Sequence, residues 1–502
     1  MKKNIMAIAL LASAAMQAQT FTWSQPEPLR GEIESDVTHL VDTKLYRIVS
    51  RYNENLFNQD VNVDTYNIVT LKKDRDFDLS VEQPPMGKAM ITHLAMFEEN
   101  KTQQLIFLDE YDNKTKERVL YGQHVNLVNG QKDNTFKITG MPGRNSEYII
   151  AQSQEKNFYA VIKRFTLDKK ENEKINVTLI DKSGKVVNEI SYQTPYQNKA
   201  KSVEFELSVS DDGKVYVVRN IDLAKQIPFR SLFYWDGKSA EMTETSLKLQ
   251  NDHQLYYTKG WFDGGNFYLQ GFCTRVGAKF VQLHRGNNPV SAVYVAKFDS
   301  NNKNVYTELN EVPETGLRVK EIMHESGKTY IVADKMVEIK KAKPMKQNSF
   351  ELEYSFAYSN TEIILAKIDD ATGKLEWFNK IPFSEIDTQF DNGKFLSFLY
   401  ILKNGEFTIL YDDRDKFEIK DGDKTRSTFD RFIIMETFGT DGKQKSQRKL
   451  EKTGLEPRWD FQEKYWLEDF DLDTSVIVKV RDGEYIVRSA SGQHEKYGYL
   501  TF

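Results

Sequence analysis

The sequence predicts an all-β fold, a single β-propeller of eight four-stranded blades, on three observations. Short alternating runs rich in Val, Ile, Tyr, Phe and Thr recur along the chain, punctuated by Asp-Gly, Asn-Gly and Ser-Gly pairs. Beyond the N-terminus no stretch carries apolar residues at the i, i+3, i+4, i+7 spacing of an amphipathic helix. The runs also fall into a repeat of roughly 55 residues, lengthening to about 80 late in the chain, as expected of stacked blades.

The N-terminus precedes the repeats and has its own grammar. Lys2 and Lys3 are followed by an apolar run over 5–16 and by Ala18, the three parts of a secretory signal peptide. The run is too short for a bilayer, which needs about 20 residues. The expected organisation is a signal peptide over 1–18 and a propeller over 19–502, exported to the periplasm, cell surface or medium. Cleavage after Ala15 is the alternative. No cysteine follows the apolar run to take a lipid.

Each repeat reads as an inner strand, a tight turn, a second strand, a variable loop and a final hairpin. Inner strands are expected to begin near Asp36, Met90, Tyr148, Val203, Tyr256, Val319, Phe395 and Ser475. Asp212-Gly213, Asn404-Gly405 and Asp482-Gly483 mark hairpin turns, where Gly and Asn supply positive φ at little steric cost. The last repeat shows only three strands, while one spare strand, 21–24, opens the mature chain. The simplest reading pairs that strand with the last blade and fastens the ring. Seven blades follow if one irregular repeat is miscounted; a solenoid or a pair of β-sandwiches are the other architectures considered.

Ala366, Asp369, Asp370, Thr372-Gly373 and Trp377 stand in one repeat at a recognisable spacing. The segment resembles the tryptophan-docking repeat of eight-bladed quinoprotein-type propellers, and 179–185 and 296–299 are degenerate echoes without the Trp. The resemblance implies a Trp packed between blades and favours the higher blade count. It implies no quinone, because a docking repeat is structural, and no cofactor is expected.

Composition narrows the function classes. Sixty-nine basic and 74 acidic residues leave a net charge of −5, against the strong basic excess of a nucleic-acid binder. A mean hydropathy of −0.59 fits a water-soluble body. The one cysteine, Cys273, permits no intrachain disulfide and reads as a buried structural thiol. The seven histidines show no metal-site spacing, and neither a nucleophile elbow nor a phosphate loop occurs. Catalytic residues are therefore unassigned, and no metal is expected. The alternating aspartates of 74–78 and 469–473 read as charged edge strands rather than calcium loops.

Insertions point to where binding would sit. Long connections between second and third strands occur at 52–64, 220–229, 274–289, 335–359 and 412–428, and the last four would crowd one arc of one face. Long loops on a rigid scaffold are where binding usually lives. Arg275, Lys279, His284 and Arg285 in one loop, with Lys341, Lys343 and Tyr354 in the next, are the candidate ligand-binding residues. Cations beside aromatics suit a protein or carbohydrate ligand. The expected function is a monomeric, non-catalytic binding scaffold. The alternatives are a propeller hydrolase or lyase, its site assembled from several blades, and an outer-membrane-associated β protein.

Overall fold

The computed structural model describes residues 20–28, 35–53, 58–80, 89–143, 145–165, 172–197, 202–222, 229–247, 249, 253–275, 289–344, 352–387, 398–421, 424–450, 459–460, 465–466, 471–490 and 494–501. Short strands β1 (Thr20–Trp23) and β2 (Glu27–Pro28) come first. Seven antiparallel blades then follow in chain order. They are β3 (Ser35–Val41), β4 (Lys44–Asn53), β5 (Asn58–Asn67), β6 (Lys72–Asp78); β7 (Ala89–Asn100), β8 (Gln103–Asp112), β9 (Glu117–Asn126), β10 (Phe136–Pro142); and β11 (Glu147–Gln152), β12 (Phe158–Arg164), β13 (Asn172–Asp181), β14 (Val186–Gln197). The fourth and fifth are β15 (Ser202–Val209), β16 (Val215–Asp222), β17 (Phe229–Trp235), β18 (Thr243–Ser246); and β19 (His253–Asp263), β20 (Asn266–Arg275), β21 (Pro289–Phe298), β22 (Asn304–Gly316). The sixth and seventh are β23 (Arg318–Glu325), β24 (Lys328–Pro344), β25 (Leu352–Asp369), β26 (Lys374–Asp387); and β27 (Phe398–Lys403), β28 (Glu406–Asp421), β29 (Lys424–Phe438), β30 (Gln444–Leu450). A small pair, β31 (Trp459–Asp460) and β32 (Tyr465–Trp466), precedes β33 (Asp471–Arg481), β34 (Glu484–Ala490) and β35 (His494–Thr501).

The eighth blade is made from both ends of the chain. β35 pairs with β34 on one side and with β1 on the other, in register Thr20↔Thr501 through Trp23↔Gly498. The expected closing strand is therefore in place, and the blade count is eight. First strands of neighbouring blades touch one another, β7 to β11 to β15 to β19, and β27 to β33 to β3, so these strands surround the axis. No helix long and apolar enough to cross a membrane occurs among the described residues.

The core lies between blades, because a twisted sheet has two apolar faces and each can be covered only by a neighbour. Ala160, Ile162 and Val177 of the third blade pack with Val215, Val217, Phe233 and Trp235 of the fourth. At the seam, Leu45 and Tyr66 of the first blade meet Ile486 and Tyr497 of the eighth.

The docking expected of Trp377 is found. Its indole lies on the turn between β29 and β30 of the next blade, where Nε1 donates to the Thr440 carbonyl at 3.1 Å. Gly442, at φ +77°, leaves the room: a Cβ there would come within 2.7 Å of the ring. The echoes use the same device with other side chains. Tyr306 donates its hydroxyl to the Asp370 carbonyl of the next blade at 2.9 Å, and Asn188 donates to the Gly237 carbonyl at 3.1 Å.

Three segments expected as long loops are largely strand instead, the first being 52–64, where β4 and β5 pair out to Asn53↔Asn58. β24 and β25 stay paired from Lys328↔Asp369 out to Pro344↔Leu352, and β28 and β29 from Phe407↔Phe438 to Asp421↔Lys424. Asp74, Asp76 and Asp78 are exposed on β6, the outer edge of the first blade, as expected of a charged edge strand. Of the second acidic string, Asp471-Leu472-Asp473 opens β33, an innermost rather than an outer strand; Asp469 lies outside the described residues.

Candidate functional site

Antiparallel blades send their connections to two ends of the ring. The second-to-third-strand connections, where binding was expected, open at one end. The turns joining first to second and third to fourth strands open at the other, and the cavity lies there. It has a volume of about 570 Å³ and is walled by the last residues of four successive inner strands, within the size range of small-molecule sites. β11 contributes Gln152 with Gln154 just beyond it, β15 contributes 207–209, β19 contributes 260–263, and β23 contributes His324 and Glu325. Asp370 reaches in from the turn after β25.

Its chemistry is polar and acidic. Asp263, Glu325 and Asp370 line it, together with Gln152, Gln154 and Ser208, and among the described residues no Lys or Arg does. Lys328, on the same turn as Glu325, is paired instead with Asp369 at 2.7 Å and Glu376 at 2.6 Å. The apolar contribution comes from Ala151, Leu207, Val209, Trp261 and Phe262. Trp261 is held between His324, stacked at 3.8 Å, and its cross-strand partner Tyr268.

On the sixth blade, buried Thr329 donates to Asp370 Oδ1 at 2.5 Å and stands 3.1 Å from His324 Nδ1. Asp370 Oδ2 lies 3.7 Å from the same nitrogen. Behind the wall, Glu206 of β15 accepts from the Gly260 amide at 2.6 Å, and the Ser208 hydroxyl donates to the Gly260 carbonyl at 3.0 Å. Burial pushes the Glu206 carboxyl up to about 8, against the opposing effects of the Gly260 N–H, the Thr258 hydroxyl and the Lys259 charge.

Arg275, the candidate whose side chain is described, does not line this cavity. Arg275 is exposed at the end of β20. Lys341 and Lys343 lie on β24 and Tyr354 on β25, in register Lys341↔Ser355, Lys343↔Glu353 and Ala342↔Tyr354. Lys279, His284 and Arg285 fall outside the described residues. Cys273 is buried, as expected, and burial raises its thiol well above the usual range. The cavity residues escaped notice because the partners of His324 lie far along the chain, Asp370 being 41 residues beyond Thr329. The signal available was positional: polar residues ending each inner strand, just before a tight turn.

No family model matches the chain, and no curated protein matches it. Among solved structures it is similar to the β-propeller domain of the Trilobed protease from Pyrococcus furiosus, at 11% identity over 84% of this chain and 98% of that one, TM-score 0.34. It is also similar to the WD40 domain of SCAP from fission yeast, at 8% identity over 96% of both chains, TM-score 0.37. A third likeness is to polysaccharide lyase Uly1, at 9% identity over 81% of this chain and 89% of that one, TM-score 0.33. The chain also spans 58% of the length of a prolyl endopeptidase it matches, at 11% identity over 86% of its own length, TM-score 0.33. All these TM-scores are below 0.5, so the blade count rests on the strand pairing of this chain itself.

Proposed function

We propose that the protein is an exported binding propeller whose site is the cavity at the inner-strand turns of blades three to six, taking a small neutral or cationic molecule rich in hydroxyl or amine groups. The observation that carries the reading is the lining: three carboxylates, two glutamine side chains and an indole, with no Lys or Arg among the described residues. Carboxylates and amide oxygens accept from hydroxyl and ammonium donors, and they repel phosphate or sulfate. Export is supported by the leader grammar of 1–18, and cleavage after Ala18 keeps β1 whole. A second binding surface, for a protein or glycan, is supported by the paired arms β24–β25 and β28–β29, which carry Lys341, Lys343 and Tyr354.

Calorimetric titration of the mature chain with glucosamine, spermidine, glucose and glucose 6-phosphate tests the cavity. Amine or neutral sugar binding is expected, the phosphate ester being excluded. Asp370→Asn and Asp263→Asn together weaken the amine by about tenfold or more, roughly 1.4 kcal/mol. Preference for the phosphate ester, or binding untouched by the two substitutions but lost on deleting 341–348, overturns this siting.

A further inference from the structure

One wall of the cavity carries a directional hydrogen-bond chain. A hydroxyl has a single proton, and that of Thr329 goes to Asp370 Oδ1. Its oxygen is then an acceptor, so the 3.1 Å contact with His324 places the ring proton on Nδ1. The lone pair falls on Nε2. Thr329 and Asp370 are both buried, 1% and 6% exposed, while the His324 side chain keeps 24% of its surface and lines the cavity. The stack on Trp261 fixes the plane of the ring. Packing alone accounts for that stack. It does not account for a buried carboxylate and hydroxyl aligned on one nitrogen, because burying such groups costs free energy unless their geometry is used.

We propose that His324 Nε2 is a fixed hydrogen-bond acceptor in this cavity, with Thr329 and Asp370 as its positioning residues, receiving a hydroxyl group of the bound molecule. The proposal rests on the cavity being the binding site. The ligand hydroxyl donates to the Nε2 lone pair and keeps its proton, so no bond is broken. The far nitrogen is held through the Thr329 hydroxyl, with the Asp370 carboxylate behind it at 3.7 Å, rather than directly by a carboxylate as in hydrolytic triads.

The test uses the whole mature chain and needs no ligand, so its failure is separable from failure of the binding reading. Nitrogen NMR of histidine-labelled protein is expected to show His324 as the Nδ1–H tautomer. Thr329→Val loses that preference, and the conservative Thr329→Ser keeps it. Diethyl pyrocarbonate, mapped by mass spectrometry, is expected to carbethoxylate Nε2 of His324 about tenfold more slowly in Thr329→Val and Asp370→Asn than in wild type or Thr329→Ser. Circular dichroism confirms that each variant is folded, and Thr329→Ser keeps the test decisive if the others are not. An Nε2–H tautomer in the wild type, or equal tautomer and rate in Thr329→Val and Thr329→Ser, overturns the proposal.

Discussion

Deletion of residues 20–23 from the mature chain is expected to abolish its single cooperative unfolding transition. β1 is the fourth strand of the eighth blade, and without it β35 becomes an open edge. Four ladder positions, Thr20↔Thr501 to Trp23↔Gly498, are lost together. So is the reciprocal pair in which the Ser24 amide donates to the Tyr497 carbonyl at 2.8 Å and the Tyr497 amide to Ser24 Oγ at 3.1 Å, because its anchor is gone. Phe21 and Trp23 stack on each other and pack against the cluster containing Leu410, Leu472, Val487 and Leu500. The Trp23 ring also covers Gly498 and carries the Lys496 ammonium 4.9 Å from its centre. Each partly buried aromatic contributes about 2 kcal/mol by area, so the strand supplies roughly 4–6 kcal/mol with its hydrogen bonds. That is a large share of a domain stability of about 5–15 kcal/mol. An unpaired edge also invites aggregation. Denaturant unfolding followed by fluorescence and circular dichroism checks it. The milder Trp23→Ala should lower stability by about 2–3 kcal/mol and keep one transition. A deletion that melts like the full chain would mean that the ring is closed elsewhere.

Glu206→Gln is expected to stabilise the fold in alkaline solution and to change little in acid. Burial holds the Glu206 carboxyl protonated up to about 8, whereas in the unfolded chain it ionises near the usual 4.5 given for a glutamate. Between those values the folded state binds more protons than the unfolded one, so stability falls as pH rises from about 4.5 to 8 and is level beyond. At about 1.4 kcal/mol per pH unit, the loss amounts to as much as roughly 5 kcal/mol. The groups that face this carboxyl are the Gly260 amide, the Thr258 hydroxyl, the Lys259 ammonium and Tyr257, whose own hydroxyl is pushed up to about 12 chiefly by burial. A glutamine keeps an oxygen for the Gly260 amide and never charges. Urea unfolding of both proteins at pH 4.5 and pH 9 checks the claim. Equal stabilities at pH 9 would show that Glu206 ionises in the fold at no cost.

The architecture was legible because a propeller blade announces itself locally. Inner strands expected near Asp36, Met90, Tyr148, Val203 and Val319 begin at Ser35, Ala89, Glu147, Ser202 and Arg318. Most are set by an alternating run that ends in a turn with a positive φ, as at Asp42, Lys156, Gly213 and Gly327. The spare strand at the N-terminus was likewise readable, since a repeat short of one strand has to find it elsewhere. The extents of blades six and seven were less readable. Lysine density in 340–344 and charge density in 412–420 look like loops by composition, although both segments pair as ribbons. The cavity was not legible at all. Gln152, Ser208, Trp261 and His324 come together only because four blades rotate about one axis, and a pattern spaced by whole repeats leaves no local motif. The docking resemblance around Trp377 did place Asp370 on a turn, but its role toward His324 depends on Thr329, on a neighbouring strand.

The most direct measurement is hydrogen–deuterium exchange of the mature chain with and without the tightest ligand found by calorimetry. Protection is expected in 150–154, 206–209, 259–263 and 323–327, the inner-strand ends around the cavity. Protection confined to the arms 336–358 and 412–430, with those four segments unchanged, would contradict a site at the inner-strand turns and move binding to the opposite face.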